Sequence, residues 1–409
     1  MPPRKSAAPP LSLAIDLGFR TTELAVLDGD RPVAIPLRGS VILQALAAAG
    51  AGLPAVVHVT PGGDLVAGVE AEAQLVNKPR STVAGVPRLL GLDHEALAAH
   101  RPAIWSGLAF TRAADGSVEL EIEGKTHDTT TLCAAVLRRV KQGAEAALGA
   151  PADTATIAVS AGMSEKGRAA LADAAAAAGL ELRGVVEAPT AIARAWWASR
   201  PAGSARERLA VVRVGGGSSD LALASVGAEG VDMLARRSEP ELGGADLDSR
   251  IAEWVAERVQ AQSGVDLRKE PASMRRLAKV GEEVRITLSS RESEQMNLPF
   301  LSMGPKGPVS VAEVLTRSTL EGLVRDFVER LLAHARALAG DVALAGRPVD
   351  QLLLVGGVTR MPLLRRELEA AFGQPATEAF DDVGAIARGT ALLGGDASAS
   401  GKRPRKRKA

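Results

Sequence analysis

AVVRVGGGSSDLAL, residues 210–223, is an apolar strand that runs into three glycines, two hydroxyl residues and an aspartate opening a second apolar strand. Consecutive glycines let backbone N–H groups close around an anion, so the stretch is built as a phosphate loop. Arg213 is the anomaly. It is a cation at the last inward-facing position before the glycines, where a site for a metal-chelated nucleotide would be expected to carry an acid.

The same hairpin occurs near the N-terminus. Laying AIDLGFRTTELAVL (14–27) over VRVGGGSSDLALA (212–224) matches Ile15 with Val212, Gly18 with Gly215, Thr21 with Ser218, Thr22 with Ser219, Glu23 with Asp220 and Leu24 with Leu221. Such internal similarity predicts a duplicated chain whose two glycine turns face each other across a cleft and grip phosphates from both sides. Asp16 falls on Arg213 in this overlay, so one half has an acid where the other has a base.

A chain of 409 residues exceeds one ordinary core, and a composition of 46% hydrophobic and 24% charged residues is that of a folded soluble protein. Aromatic residues make up only 2%, without any Tyr, so the core must be built from Ala, Leu and Val. The one cysteine, Cys133, excludes an internal disulfide and reads as a small core residue within LCAAVL. Five scattered histidines show no ligand spacing. MPPRKSAAPP lacks the apolar centre of a signal sequence and no run of membrane-spanning length occurs, which points to the cytoplasm. The formal charge of +1 conceals an asymmetry: residues 402–408, KRPRKRK, carry six basic groups and leave the remainder at −5. Such a tail reads either as an arm for nucleic acid, anionic lipid or an acidic protein, or as a purely solubilising extension.

Periodicity predicts strands at 11–17, 22–28 and 33–37, then helix 129–148, strand 155–160, helix 164–178, strand 183–187 and helix 189–199. Strands at 209–214, 219–227 and 230–237 follow, with helices at 244–262 and 271–288, a strand at 294–302, a long helix at 311–339, a strand at 350–355 and helices at 361–372 and 382–394. The class is α/β. The expected organisation is a disordered N-terminus (1–10), a first lobe (11–200) with an insert at about 38–125, a second lobe (209–395) with an insert at about 240–315, and a disordered basic tail (396–409).

Several motifs together resemble the nucleotide-binding domain of the heat-shock protein 70 family, within the actin-like ATPase superfamily. They are AIDLG (14–18), LRGVVEAPTAIARAWW (182–197), VGGGSSD (214–220), LGGADLDSRI (242–251), MRRLAKVGEEVRITLSS (274–290) with NLPF (297–300), LLLVGGVTRMP (352–362) and AIARGTALLGG (385–395). The resemblance implies the actin-like fold: a duplicated two-lobed βββαβα architecture with a cleft between the lobes and smaller inserted subdomains. It covers residues 11–395, and the family's β-rich peptide-binding domain and helical lid are expected to be missing.

The resemblance also divides the expected ATP/ADP site into two halves. On the adenosine side Gly356, Gly357 and Arg360 match the family's Gly-Gly-x-Thr-Arg turn, and Glu282, Arg285 and Ser289 share one helical face. Gly18, Gly215, Gly216, Gly217, Ser218, Gly243 and Gly244 are the glycine-turn contacts. On the phosphate side Phe19 and Arg20 replace two hydroxyl residues, Pro87 replaces a lysine, Ala188 a glutamate and Arg213 an aspartate. Asp16, a residual metal ligand, and Asp220 persist, and Glu187 lies beside the vacated glutamate position. Mg²⁺ is therefore in doubt. The leading expectation is a pseudo-ATPase, chaperone-like and cytoplasmic, that binds nucleotide with lost or very slow hydrolysis and regulates or scaffolds. The alternatives are an active ATPase using Glu187, Arg88 and Arg20, and an interaction module with a vestigial cleft. An ion pair from Arg213 to Asp16, occupying the metal position, is a further expectation.

Overall fold

The computed structural model describes residues 11–37, 52–99, 101–240, 242–344, 348–378, 380 and 383–400. The expected segment 1–10, the part of the expected tail 396–409 from residue 401 on, and the start of the first insert lie outside the described residues.

Two sheets repeat one plan. In the first, Ser12–Leu17 pairs antiparallel with Thr21–Asp28, which pairs with Arg31–Ile35. On its other edge Ser12–Leu17 pairs parallel with Thr154–Val159, and that strand with Glu181–Glu187. In the second, Glu207–Val214 pairs antiparallel with Ser219–Gly227, then Gly230–Glu239, and parallel with Gln351–Val355. A single parallel bridge between Leu352 and Ala376 stands where the outermost strand of the first sheet has its counterpart. The central strands read as unbroken apolar runs because both their faces are covered: Ala210, Val211, Val212 and Val214 are all fully buried.

The helices follow local capping. Asp128 accepts from the Thr131 N–H at 2.7 Å to start Thr129–Leu148, which ends at Gly149 in the left-handed conformation. Ser164 starts Glu165–Ala177 in the same way, accepting from Gly167 N–H at 3.1 Å. Helices Ala188–Ala198 and Ala385–Ser400 both carry AIAR, at 191–194 and 385–388, and pack against each other. Gly389 makes this crossing possible, since a Cβ there would run into the Ala191 carbonyl.

Two expectations change. The helix predicted over 311–339 is instead a strand, Gly307–Thr316, followed by helices Arg317–Leu323 and Arg325–Leu344. Val309, Val311 and Leu315 are buried at odd spacings from exposed neighbours, a period of two, and the strand folds back on Ser293–Gly304 through a tight turn in which Gly304 pairs with Gly307. The last helix continues past Gly395 to Ser400.

Candidate functional site

The two hairpins set charged side chains opposite one another at the floor of the cleft. Arg213 is the cross-strand neighbour of Asp220 in the second hairpin, and Asp16 that of Glu23 in the first. Cross-strand neighbours project from the same face of the sheet. The Arg213 guanidinium accordingly donates to Asp220 Oδ2 at 3.0 Å and to Ser218 Oγ at 3.0 Å. The expected pairing of Arg213 with Asp16 is thus replaced by a shorter reach within its own hairpin. Asp220, 0% exposed, accepts on Oδ1 from Ser160 Oγ (2.8 Å), Ala161 N–H (3.0 Å) and Ser238 Oγ (2.7 Å). Burial pushes the Asp16 carboxyl up to about 7; Arg213 pulls against this, while Glu23 and Asp220 add to it.

Above this floor the cradle is filled by the turn that follows the first strand. Phe19 is buried, and its ring covers Gly85 and Gly217. A Cβ on Gly217 would lie 2.5 Å from Phe19 Cδ2, and one on Gly216 would lie 2.6 Å from Arg20 Cγ. Trp105 backs the ring at a centroid distance of 6.2 Å, and the Arg88 guanidinium stands 5.8 Å from the Phe19 centroid and 5.5 Å from that of Trp105. Arg20 continues across the cleft to form an ion pair with Glu282.

Other candidates are also engaged. Pro87 is buried, and neighbouring Arg88 reaches Asp246 of the second lobe at 3.3 Å, both side chains being buried. Glu187 is held by Arg168 (3.3 Å) and Arg236 (2.6 Å), and Ala188 is the buried first residue of its helix. Glu187, Arg88 and Arg20 therefore have separate carboxylate or guanidinium partners and are not brought together. Among the described residues no group of three or more His, Cys, Asp or Glu side chains is placed to hold a metal ion.

The adenosine side differs in its exposure. Gly356 has φ 95° and lies against the Val214 carbonyl, an approach that excludes a side chain. Gly357 and Arg360 are exposed. Val358 is buried beside Gly244, 3.3 Å from where a Cβ would stand. Arg285 turns inward onto Asp248 at 2.7 Å, and Ser289 Oγ donates to the Arg285 carbonyl at 3.3 Å. Ile286, next to Arg285, is 56% exposed. The start of helix Gly244–Ser263 is tied to the phosphate loop: Gly244 N–H donates to Gly215 O (2.9 Å) and Ala245 N–H to Gly216 O (2.8 Å).

A contact that sequence reasoning missed closes the rim. Arg275, fully buried on helix Pro271–Leu288, donates to the Ser106, Leu75 and Thr82 carbonyls of the first lobe's insert at 2.9, 3.2 and 2.7 Å. Burial pulls its pKa down to about 9, with Arg101 adding to the effect. Beyond Phe19 a cavity of about 220 Å³ remains, walled by Leu17, Pro87, Leu90 and Met163, with Arg213 and Ser218 at its edge.

Two lobes led by equivalent hairpins, with glycine turns opposed across a cleft, define the actin-like ATPase architecture. The chain belongs to the Hsp70 family: the family model described as Hsp70 protein matches residues 12–403, a span that includes the family's nucleotide-binding domain. Among the described residues no helix is long and apolar enough to cross a membrane.

Proposed function

We propose that this chain is a chaperone-type nucleotide-binding protein that does not hydrolyse its nucleotide and acts as a regulator or scaffold. The carrying observation is the Arg213–Asp220 ion pair on the cleft floor. A hydrated divalent cation requires carboxylate oxygens free to face it. Both Asp220 oxygens already accept hydrogen bonds, a guanidinium stands beside them, and Asp16 is held toward its protonated form. This donor set does not suit Mg²⁺.

The remaining phosphate-side groups support the same reading. Pro87 offers no charge, Ala188 offers no carboxylate, and Glu187 is neutralised by two arginines. Loss of one electrostatic or positioning group costs about 3 kcal/mol of barrier in comparable sites, so several losses leave turnover negligible. Phosphate release from ATP by the purified chain should stay at background, and turnover typical of a chaperone ATPase domain overturns the proposal.

A second reading is an interaction module with a vestigial cleft, its basic tail contacting an acidic or anionic partner. It is favoured by the closure of the lobes through Arg275, Arg88 and Arg20. Calorimetry separates the two: absence of binding by any adenine nucleotide supports the module.

A further inference from the structure

We infer that the cleft selects a nucleoside or nucleoside monophosphate and rejects di- and triphosphates, with Phe19 as the specificity-determining residue. The inference rests on the nucleotide-binding reading above and names its ligand class. A glycine loop holds a polyphosphate only if phosphate oxygens can come within hydrogen-bond distance of its N–H groups across the faces that lack side chains. Here the side-chain faces of two loop glycines are covered: Phe19 Cδ2 lies 2.5 Å from where a Gly217 Cβ would stand and Arg20 Cγ 2.6 Å from a Gly216 Cβ, while the same Phe19 ring, through Cε2, covers Gly85 on the opposing side. The N–H groups of Gly244 and Ala245, at the start of the adjoining helix, already donate to the loop's own carbonyls.

Charge points the same way. The three guanidinium groups bordering the cradle, Arg20, Arg88 and Arg213, sit on Glu282, Asp246 and Asp220, so a polyphosphate must break existing ion pairs to gain a counter-charge. On the nucleoside side Gly357 and Ile286 present exposed backbone and apolar surface that a base can cover without parting any of these three ion pairs.

Isothermal titration of the full chain with adenosine, AMP, ADP and ATP tests this, with and without Mg²⁺. Adenosine or AMP should bind at least about tenfold more tightly than ATP, independently of Mg²⁺. Phe19→Thr should raise ATP affinity relative to AMP by about tenfold or more, and Phe19→Leu, which keeps the cradle filled, should retain the wild-type order. Equal wild-type affinities for AMP and ATP overturn the inference while leaving nucleotide binding intact, and this arm needs no variant to fold. A folded Phe19→Thr protein with an unchanged order also overturns it. Binding of none of the four ligands overturns the underlying reading as well.

Discussion

Arg213 faces Asp220 across the second hairpin at the position where Asp16 faces Glu23 across the first. One duplicated cross-strand site thus carries an attractive pair in one lobe and two acids in the other. The attractive pair is the more deeply buried, with Asp220 at 0% and Arg213 at 8% exposure. Removing one partner of a buried pair leaves the other charge uncompensated, at a cost of about 3–5 kcal/mol. Arg213→Ala should therefore lower unfolding free energy in urea by about that amount with an unchanged slope. A loss below about 1 kcal/mol would show that the three hydrogen bonds from Ser160, Ala161 and Ser238 are sufficient for Asp220.

The acid pair makes a pH prediction. Asp16 is raised from 3.8 to about 7 by burial, so between these values the folded chain keeps a proton that the unfolded chain has released. Stability contributed by Asp16 is therefore present at low pH and declines as pH rises toward 7. Asp16→Asn should remove that decline, matching the wild type near pH 4 and exceeding it at pH 8 by more than about 1 kcal/mol. Denaturant melts across this range check it, and parallel curves for the two proteins would contradict it.

These two pairs were legible in the overlay of 14–27 on 212–224, which already set Asp16 on Arg213 and Glu23 on Asp220. Two copies of one hairpin share a cross-strand register, so the pair Arg213–Asp220 in the second copy is equivalent to Asp16–Glu23 in the first. Arg213 has Asp220 directly across its own hairpin, a nearer partner than Asp16 of the other lobe. Arg20–Glu282, Arg88–Asp246 and Arg275 with its three carbonyls were not legible, since each joins segments far apart in sequence and depends on how the lobes close. The strand Gly307–Thr316 is hidden in the sequence for a local reason: Glu313 interrupts the apolar alternation, and VAEVL fits a helical face as well as a strand.

Glu187 offers a direct test of the rearranged-ATPase alternative. Its carboxylate is shared by Arg168 and Arg236, and Arg236 is largely exposed. Glu187→Ala should leave phosphate release at background and reduce stability by only about 1 kcal/mol, as for other solvent-screened pairs. A measurable turnover that disappears in the variant would instead place Glu187 in a working site.

Arg275 predicts how the lobes respond when their rim contact is cut. Its fork satisfies three carbonyls at once, a geometry lysine cannot reproduce, and hydrogen bonds from a charged donor are worth about 1.5–3 kcal/mol each before the cost of burying the guanidinium is set against them. Arg275→Ala leaves the Leu75, Thr82 and Ser106 carbonyls without this donor and should cost about 2–4 kcal/mol. Arg275→Lys should recover less than half. Hydrogen exchange locates the effect: amides of strand Thr82–Ala84 and the turn Ala103–Trp105 should exchange faster, while those of Glu207–Val214 in the second sheet keep their protection. Uniform acceleration in both lobes would mean that Arg275 supports the global fold and does not act as a local clasp between the insert and helix Pro271–Leu288.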